Sequence, residues 1–120
     1  MFGAIAPKLR SPGREPGSIY ASFPGVFSSA IGNLRWYPRR PLVLTLVRVD
    51  IGTAPVAAAC VFNLRKNGIA LFGANKPTIQ IGANNSTPIA IRVPMSLTDY
   101  LTCDVEQAQG DSATIRIDYE

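Results

Sequence analysis

The chain has 120 residues, 12 Lys and Arg against 8 Asp and Glu for a net charge of +4, and 47% hydrophobic against 17% charged residues. That is one apolar domain, able to fold but too short for a cofactor domain joined to a substrate domain. It holds no His and only two Cys, which excludes a Ser-His-Asp triad, a Cys-His dyad and any His-bearing zinc site, and it has no run of about 18 apolar residues to cross a membrane as a helix.

The charge sits at the front. Through Arg40, six basic residues (Lys8, Arg10, Arg14, Arg35, Arg39, Arg40) stand against the single acid Glu15, a net +5; the remaining 80 residues carry six basic and seven acidic groups, a net −1. A basic leading segment can meet nucleic acid, an anionic membrane or an acidic protein surface. Nucleic acid is disfavoured, because these residues are dispersed among prolines without a stacking platform or a recognition helix.

Residues 1–18 read as an extended arm. Pro and Gly recur there, no helical or strand period is present, and no continuous apolar run marks a secretory signal. Phe2, Ile5 and Leu9 cannot bury themselves in such a segment, so with Arg10 and Arg14 they are expected to anchor on a partner; a tail without a role is the alternative. Residues 19–27 begin the folded domain, 19–120, with Tyr20, Phe23 and Phe27 as core or interface aromatics and Pro24-Gly25 as a bend or bulge.

Ile31-Gly32-Asn33 reads as a turn and residues 34–37 as a short strand, interrupted by Pro38-Arg39-Arg40-Pro41 because proline cannot donate to a ladder. Residues 42–49 (LVLTLVRV) are the strongest strand, and 51–55 a loop. In residues 57–65, Cys60, Phe62 and Leu64 share a face opposite Val61, Asn63 and Arg65. Asn67-Gly68 then marks a hairpin turn, since both residues tolerate positive φ, and residues 69–72 return. Residues 78–81 and 89–93 are further short strands around a polar 82–88 loop, and residues 95–99 form at most one turn.

The closing stretch alternates twice. Leu101, Cys103 and Val105 alternate with polar residues, as do Ile115, Ile117 and Tyr119 after the turn-like Gln109-Gly110-Asp111-Ser112, which predicts a terminal β-hairpin. Eight or nine short strands with regular turn signals predict an all-β antiparallel sandwich of jelly-roll type.

Little of the chemistry points to catalysis or cofactors. Cys60 and Cys103 share the inward parity; a disulfide between sheets and two buried thiols are both open, with free thiols favoured in the absence of an export signal. Asp104 and Glu106 lie two apart on an outward strand face, where alternating acids are usually solvated rather than a glycosidase pair. No clustered acidic loop supports calcium, and the Asn85-Ser86-Thr87 sequon means little without secretion. No enzyme activity, cofactor or metal is expected.

Ser22-Phe23-Pro24-Gly25, Arg35-Trp36-Tyr37-Pro38, the 49–55 stretch VDIGTAP, the 63–68 stretch NLRKNG, Lys76-Pro77-Thr78-Ile79 and the closing 99–107 and 114–119 segments together resemble a small all-β domain recurring in virion proteins of tailed bacteriophages. The resemblance covers about residues 22–119 and leaves the arm outside. It implies a jelly-roll sandwich serving as a head-decoration module or as a terminal domain of tail and fibre proteins, with Cys60 and Cys103 in aliphatic core positions. With no shaft or anchoring region, a free-standing subunit is expected.

Two functions follow. The first is a capsid decoration, or cement, protein: a homotrimeric structural subunit on the outer surface of the virion, assembled in the host cytoplasm, whose partner is the major capsid protein. Its contact residues would be Phe2, Ile5, Leu9, Arg10, Arg14, Tyr20, Arg39 and Arg40, with no nucleic acid or membrane involved. The second is a receptor-binding module of a tail, with Trp36, Tyr37, Asn84 and Asn85 on a cell-surface sugar. Trp36 and Tyr37 are adjacent on one strand, so they point to opposite faces and only one is available to stack.

Overall fold

In the computed structural model, which describes residues 16–120, period-two alternation becomes nine strands: β1 (Gly17–Val26), β2 (Ala30–Trp36), β3 (Leu42–Thr53), β4 (Cys60–Lys66), β5 (Ile69–Ala70), β6 (Thr78–Ile79), β7 (Ile89–Met95), β8 (Leu101–Gln107) and β9 (Asp111–Tyr119). All pairings are antiparallel. They form two sheets, one in the order β1-β9-β3-β7 and one in the order β2-β8-β4-β5 with β6 also on β4. The sheets stack as a sandwich. Leu44, Val47, Val49, Ile115 and Ile117 of the first face Phe62, Leu64, Cys103 and Val105 of the second, and all are buried. At one end Phe23, Phe27 and Phe62 gather with ring centroids 5.6 to 6.1 Å apart, tying the end of β1 to β4. Among the described residues there is no helix, and so none long and apolar enough to cross a membrane.

Two local devices set the register. In β3 the inward residues switch from Leu42 and Leu44 to Val47, Val49 and Ile51, because the ladders to both neighbours slip between Leu44 and Leu46. One extra residue there reverses the parity of everything after it. The β4–β5 turn has φ of 52° at Asn67 and 84° at Gly68, the double positive φ of a tight hairpin turn. The return strand is shorter than expected, although Leu71 N still donates to Leu64 O at 2.8 Å.

Several sequence expectations are corrected. The terminal hairpin does not form: β8 pairs β2 and β4, while β9 pairs β1 and β3 in the other sheet. Each is a central strand, and their apolar faces meet across the core rather than sharing a ladder. The link between them turns through Gly110, whose φ is 78° and whose position leaves no room for a Cβ against Thr53 O. The Ile31-Gly32-Asn33 turn lies inside β2, which accommodates it by register shifts on either side of Asn33. β3 runs on to Thr53, into the expected loop, and β1 begins at Gly17, two residues before the expected domain start. Asp104 is buried rather than solvated, for reasons given below.

Candidate partner-binding groove

Between the end of β2 and the start of β3 the chain is framed by two prolines. Pro38 is buried and Pro41 precedes the core residue Leu42, so Arg39 and Arg40 are carried on a short link whose backbone has little freedom. That link forms one wall of an open groove of about 620 Å³, walled also by Trp36, Leu42, Tyr119 and the start of β1 through Tyr20. Trp36 and Tyr119 pack with ring centroids 6.5 Å apart. The Arg40 guanidinium lies 5.7 Å from the Tyr119 ring and donates Nη1 to Pro41 O at 3.1 Å. Arg39 is exposed and makes no ion pair with any described residue. No described residue lining the groove is acidic, and Arg39 brings to it a charge that no described carboxylate pairs.

The structure thus brings Tyr20, Arg39 and Arg40 together and adds Trp36 to them. Phe2, Ile5, Leu9, Arg10 and Arg14 lie outside the described residues. Tyr37 turns away from Trp36, as adjacent strand positions require. It is half exposed, with its ring 5.9 Å from Tyr100, whose face is covered by the Arg35 guanidinium at 4.2 Å. Asn84 and Asn85 sit elsewhere: Asn84 Nδ2 donates to Ile51 O and Gly52 O at 3.1 and 3.3 Å, and Asn85 bridges Asp50. Tyr119 is paired with Leu44, so the asparagines are six residues along β3 from the groove, roughly 20 Å at the rise of a strand. The four residues named for a sugar do not converge. Sequence reasoning missed Tyr119 and Leu42 as groove walls. The one signal for Tyr119 is non-local: it pairs with Gly17, where a Cβ would meet its hydroxyl at 2.5 Å.

Elsewhere buried polar side chains are largely paired, with Arg48 Nε the exception among the described residues. A second groove of about 440 Å³ beside β6 is lined by polar Asn75, Thr78, Gln80 and Thr87 together with apolar residues such as Pro88 and Ile89, and its one charged residue, Lys76, is held by Glu106 Oε1 at 2.6 Å. Asp104 accepts from Arg65 Nε at 2.6 Å and from Gly32 N at 2.8 Å. Asn63 is also buried; its Nδ2 donates to Phe72 O and its Oδ1 accepts from Leu64 N and Phe72 N. Cys60 and Cys103 are free and buried. Cys103 pairs with Leu64, so Cys60 is four residues away along β4, about 13 Å and beyond disulfide reach. Burial pushes the Cys103 thiol up to about 12, helped by Asp104, and raises Cys60 as well, so neither presents a thiolate at neutral pH. Among the described residues no group of three or more His, Cys, Asp or Glu could hold a metal. The arrangement at the groove can bind an anion beside apolar surface.

No family model matches this sequence, and no curated protein matches it.

Proposed function

We propose that this chain is a capsid decoration protein of a tailed bacteriophage, a jelly-roll subunit that binds the outside of the mature head and stabilises the shell. The observation that carries the reading is the groove. Arg39 and Arg40 stand beside the start of β1, immediately after the basic residues 1–15, so arm and groove present positive charge from neighbouring points of the chain to one acidic protein surface. The strand orders β1-β9-β3-β7 and β2-β8-β4-β5, in which every link except those joining β4, β5 and β6 changes sheet, support the jelly-roll assignment. Val26 and Ile31, 87% and 73% exposed around the β1–β2 corner, supply apolar surface for contacts between copies, in keeping with a homotrimer. Many copies, each of modest affinity, stabilise a shell by binding only its mature form.

The test is stoichiometry in the purified particle, measured as stain density of this band against the major coat protein. The reading expects about one copy per coat subunit, or one per few. A small fraction of the coat copy number overturns it in favour of a tail or fibre receptor-binding module, for which the exposed Tyr37 beside Tyr100 is the supporting feature.

A further inference from the structure

The groove also says what chemistry it takes. We infer that it binds an acidic peptide segment of the partner, with a carboxylate between Arg39 and Arg40 and the segment's apolar atoms along Tyr20, Trp36 and Tyr119. The inference deepens the decoration reading and rests on it only for the identity of the partner.

Charge comes first. Arg48, Arg65, Lys66, Lys76 and Arg116 each have a carboxylate within 4 Å; Arg39, like Arg35 and Arg92 elsewhere, has none among the described residues, but it alone of these three lines a groove with aromatic walls. A guanidinium prefers a planar two-oxygen acceptor, because its fork matches a carboxylate in both spacing and plane. Stiffness comes second. Pro38 and Pro41 bracket the two arginines, so less backbone freedom is lost when a ligand is gripped.

The other occupants fit less well. Residues 1–15 of this chain, or of a second copy, carry Lys8, Arg10 and Arg14 against Glu15, and bringing them to Arg39 and Arg40 juxtaposes like charges. An acidic sugar needs an open aromatic face for its ring. Here Trp36 is half-buried against Tyr119, and Arg40 already lies over the Tyr119 ring. An extended peptide needs only edges, apolar patches and the cations, which the groove supplies.

Trp36 is the only tryptophan in the chain, so its fluorescence reports this groove alone. The full chain is titrated with a short polyglutamate peptide, with polyglutamine of the same length, and with oligogalacturonate of the same charge. The expected result is a saturable change in Trp36 emission with polyglutamate only, weakened by added salt and weakened about fivefold by Arg39→Gln, as for an exposed ion pair. Arg39→Lys, which keeps the charge and loses the fork, is expected to fall between. Arg39 makes no ion pair with a described residue, and thermal melts of both variants verify that they fold. No saturable change, an equal response to polyglutamine, or a response unaffected by Arg39→Gln overturns the inference. An equal or stronger response to oligogalacturonate overturns it in favour of an acidic sugar. Arg39-dependent peptide binding by a chain that is scarce in the particle leaves the groove inference standing and removes the decoration reading. An abundant shell protein whose Trp36 ignores polyglutamate does the reverse.

Discussion

On the outside of the β1-β9-β3-β7 sheet, Arg48 and Arg116 stand opposite each other in register. Asp50 and Asp118, each two residues further along, neutralise them at 3.4 and 2.9 Å. All four side chains stay a quarter to nearly half exposed, so water does much of the work and each pair contributes little. On the outside of the other sheet, Asp104 is 1% exposed and bonded to Arg65 and to the backbone of Gly32. The difference lies in the neighbouring strand. β1 is a regular ladder partner as far as its bulge beyond Phe23, whereas β2 reaches φ of 75° at Gly32 and 57° at Leu34, curling so that a backbone N–H meets Asp104. A left-handed Leu costs about 1–2 kcal/mol, and the buried carboxylate is what holds that path in place. The same residue types are dispensable on one face and structural on the other, while the Arg39 of the groove is held by neither pattern.

Removing the buried acid is therefore the largest break. Asp104→Ala is expected to cost about 2–3 kcal/mol in chemical denaturation, below the full penalty for breaking a buried pair because Arg65 is partly exposed and rehydrates. A cost below about 1 kcal/mol would mean that β2 keeps its path without Asp104. On the opposite face, Asp118→Ala, which loses Ser18 Oγ at 2.7 Å and Arg116 Nε at 2.9 Å, is expected to cost about 0.5 kcal/mol. Equal losses at the two positions would erase the contrast between the faces.

The same contrast shows which parts of the fold were legible. Alternation marked β8 and β9 correctly as strands with Leu101, Cys103, Val105, Ile115 and Ile117 inward, but it is identical for partners in one ladder and for partners across a core. The short polar link favoured the wrong one. Parity placed Asp104 outward, which it is; burial came from β2, some 70 residues earlier in the chain, and no local pattern carries that. In the groove, Arg39 and Arg40 were legible because two prolines isolate them from any strand. Tyr20 and Tyr119, from opposite ends of the chain, meet only because β1 and β9 pair, and Asn84, whose Nδ2 donates to Ile51 O and Gly52 O, lies far along β3 from them.

The smallest expected effect tests a charge at the rim, where neither burial nor a ladder holds it. Asp99 accepts from Ser96 N at 2.8 Å, from Asn67 Nδ2 at 2.8 Å and from Ser96 Oγ at 3.1 Å, with Lys66 Nζ 3.7 Å away. The backbone bond to Ser96 leads in holding its carboxyl down at about 2. Asn67 in turn donates N to Tyr100 O and accepts from Tyr100 N, both at 2.9 Å, so this turn fixes the Tyr100 that Tyr37 and Arg35 pack on. A depressed folded pKa contributes stability that is present above the unfolded value of 3.8 and lost as pH falls toward 2. Glu106 and Asp118 are lowered as well, by Lys76 and by Ser18, so acid sensitivity of the whole protein does not single out Asp99. The difference between wild type and Asp99→Asn does. Melting temperatures are expected to differ most above about pH 5 and to converge as pH falls toward about 2, where the wild-type carboxyl is itself protonated. A gap that stays constant across that range would show that the turn depends on the shape of Asp99 and not on its charge.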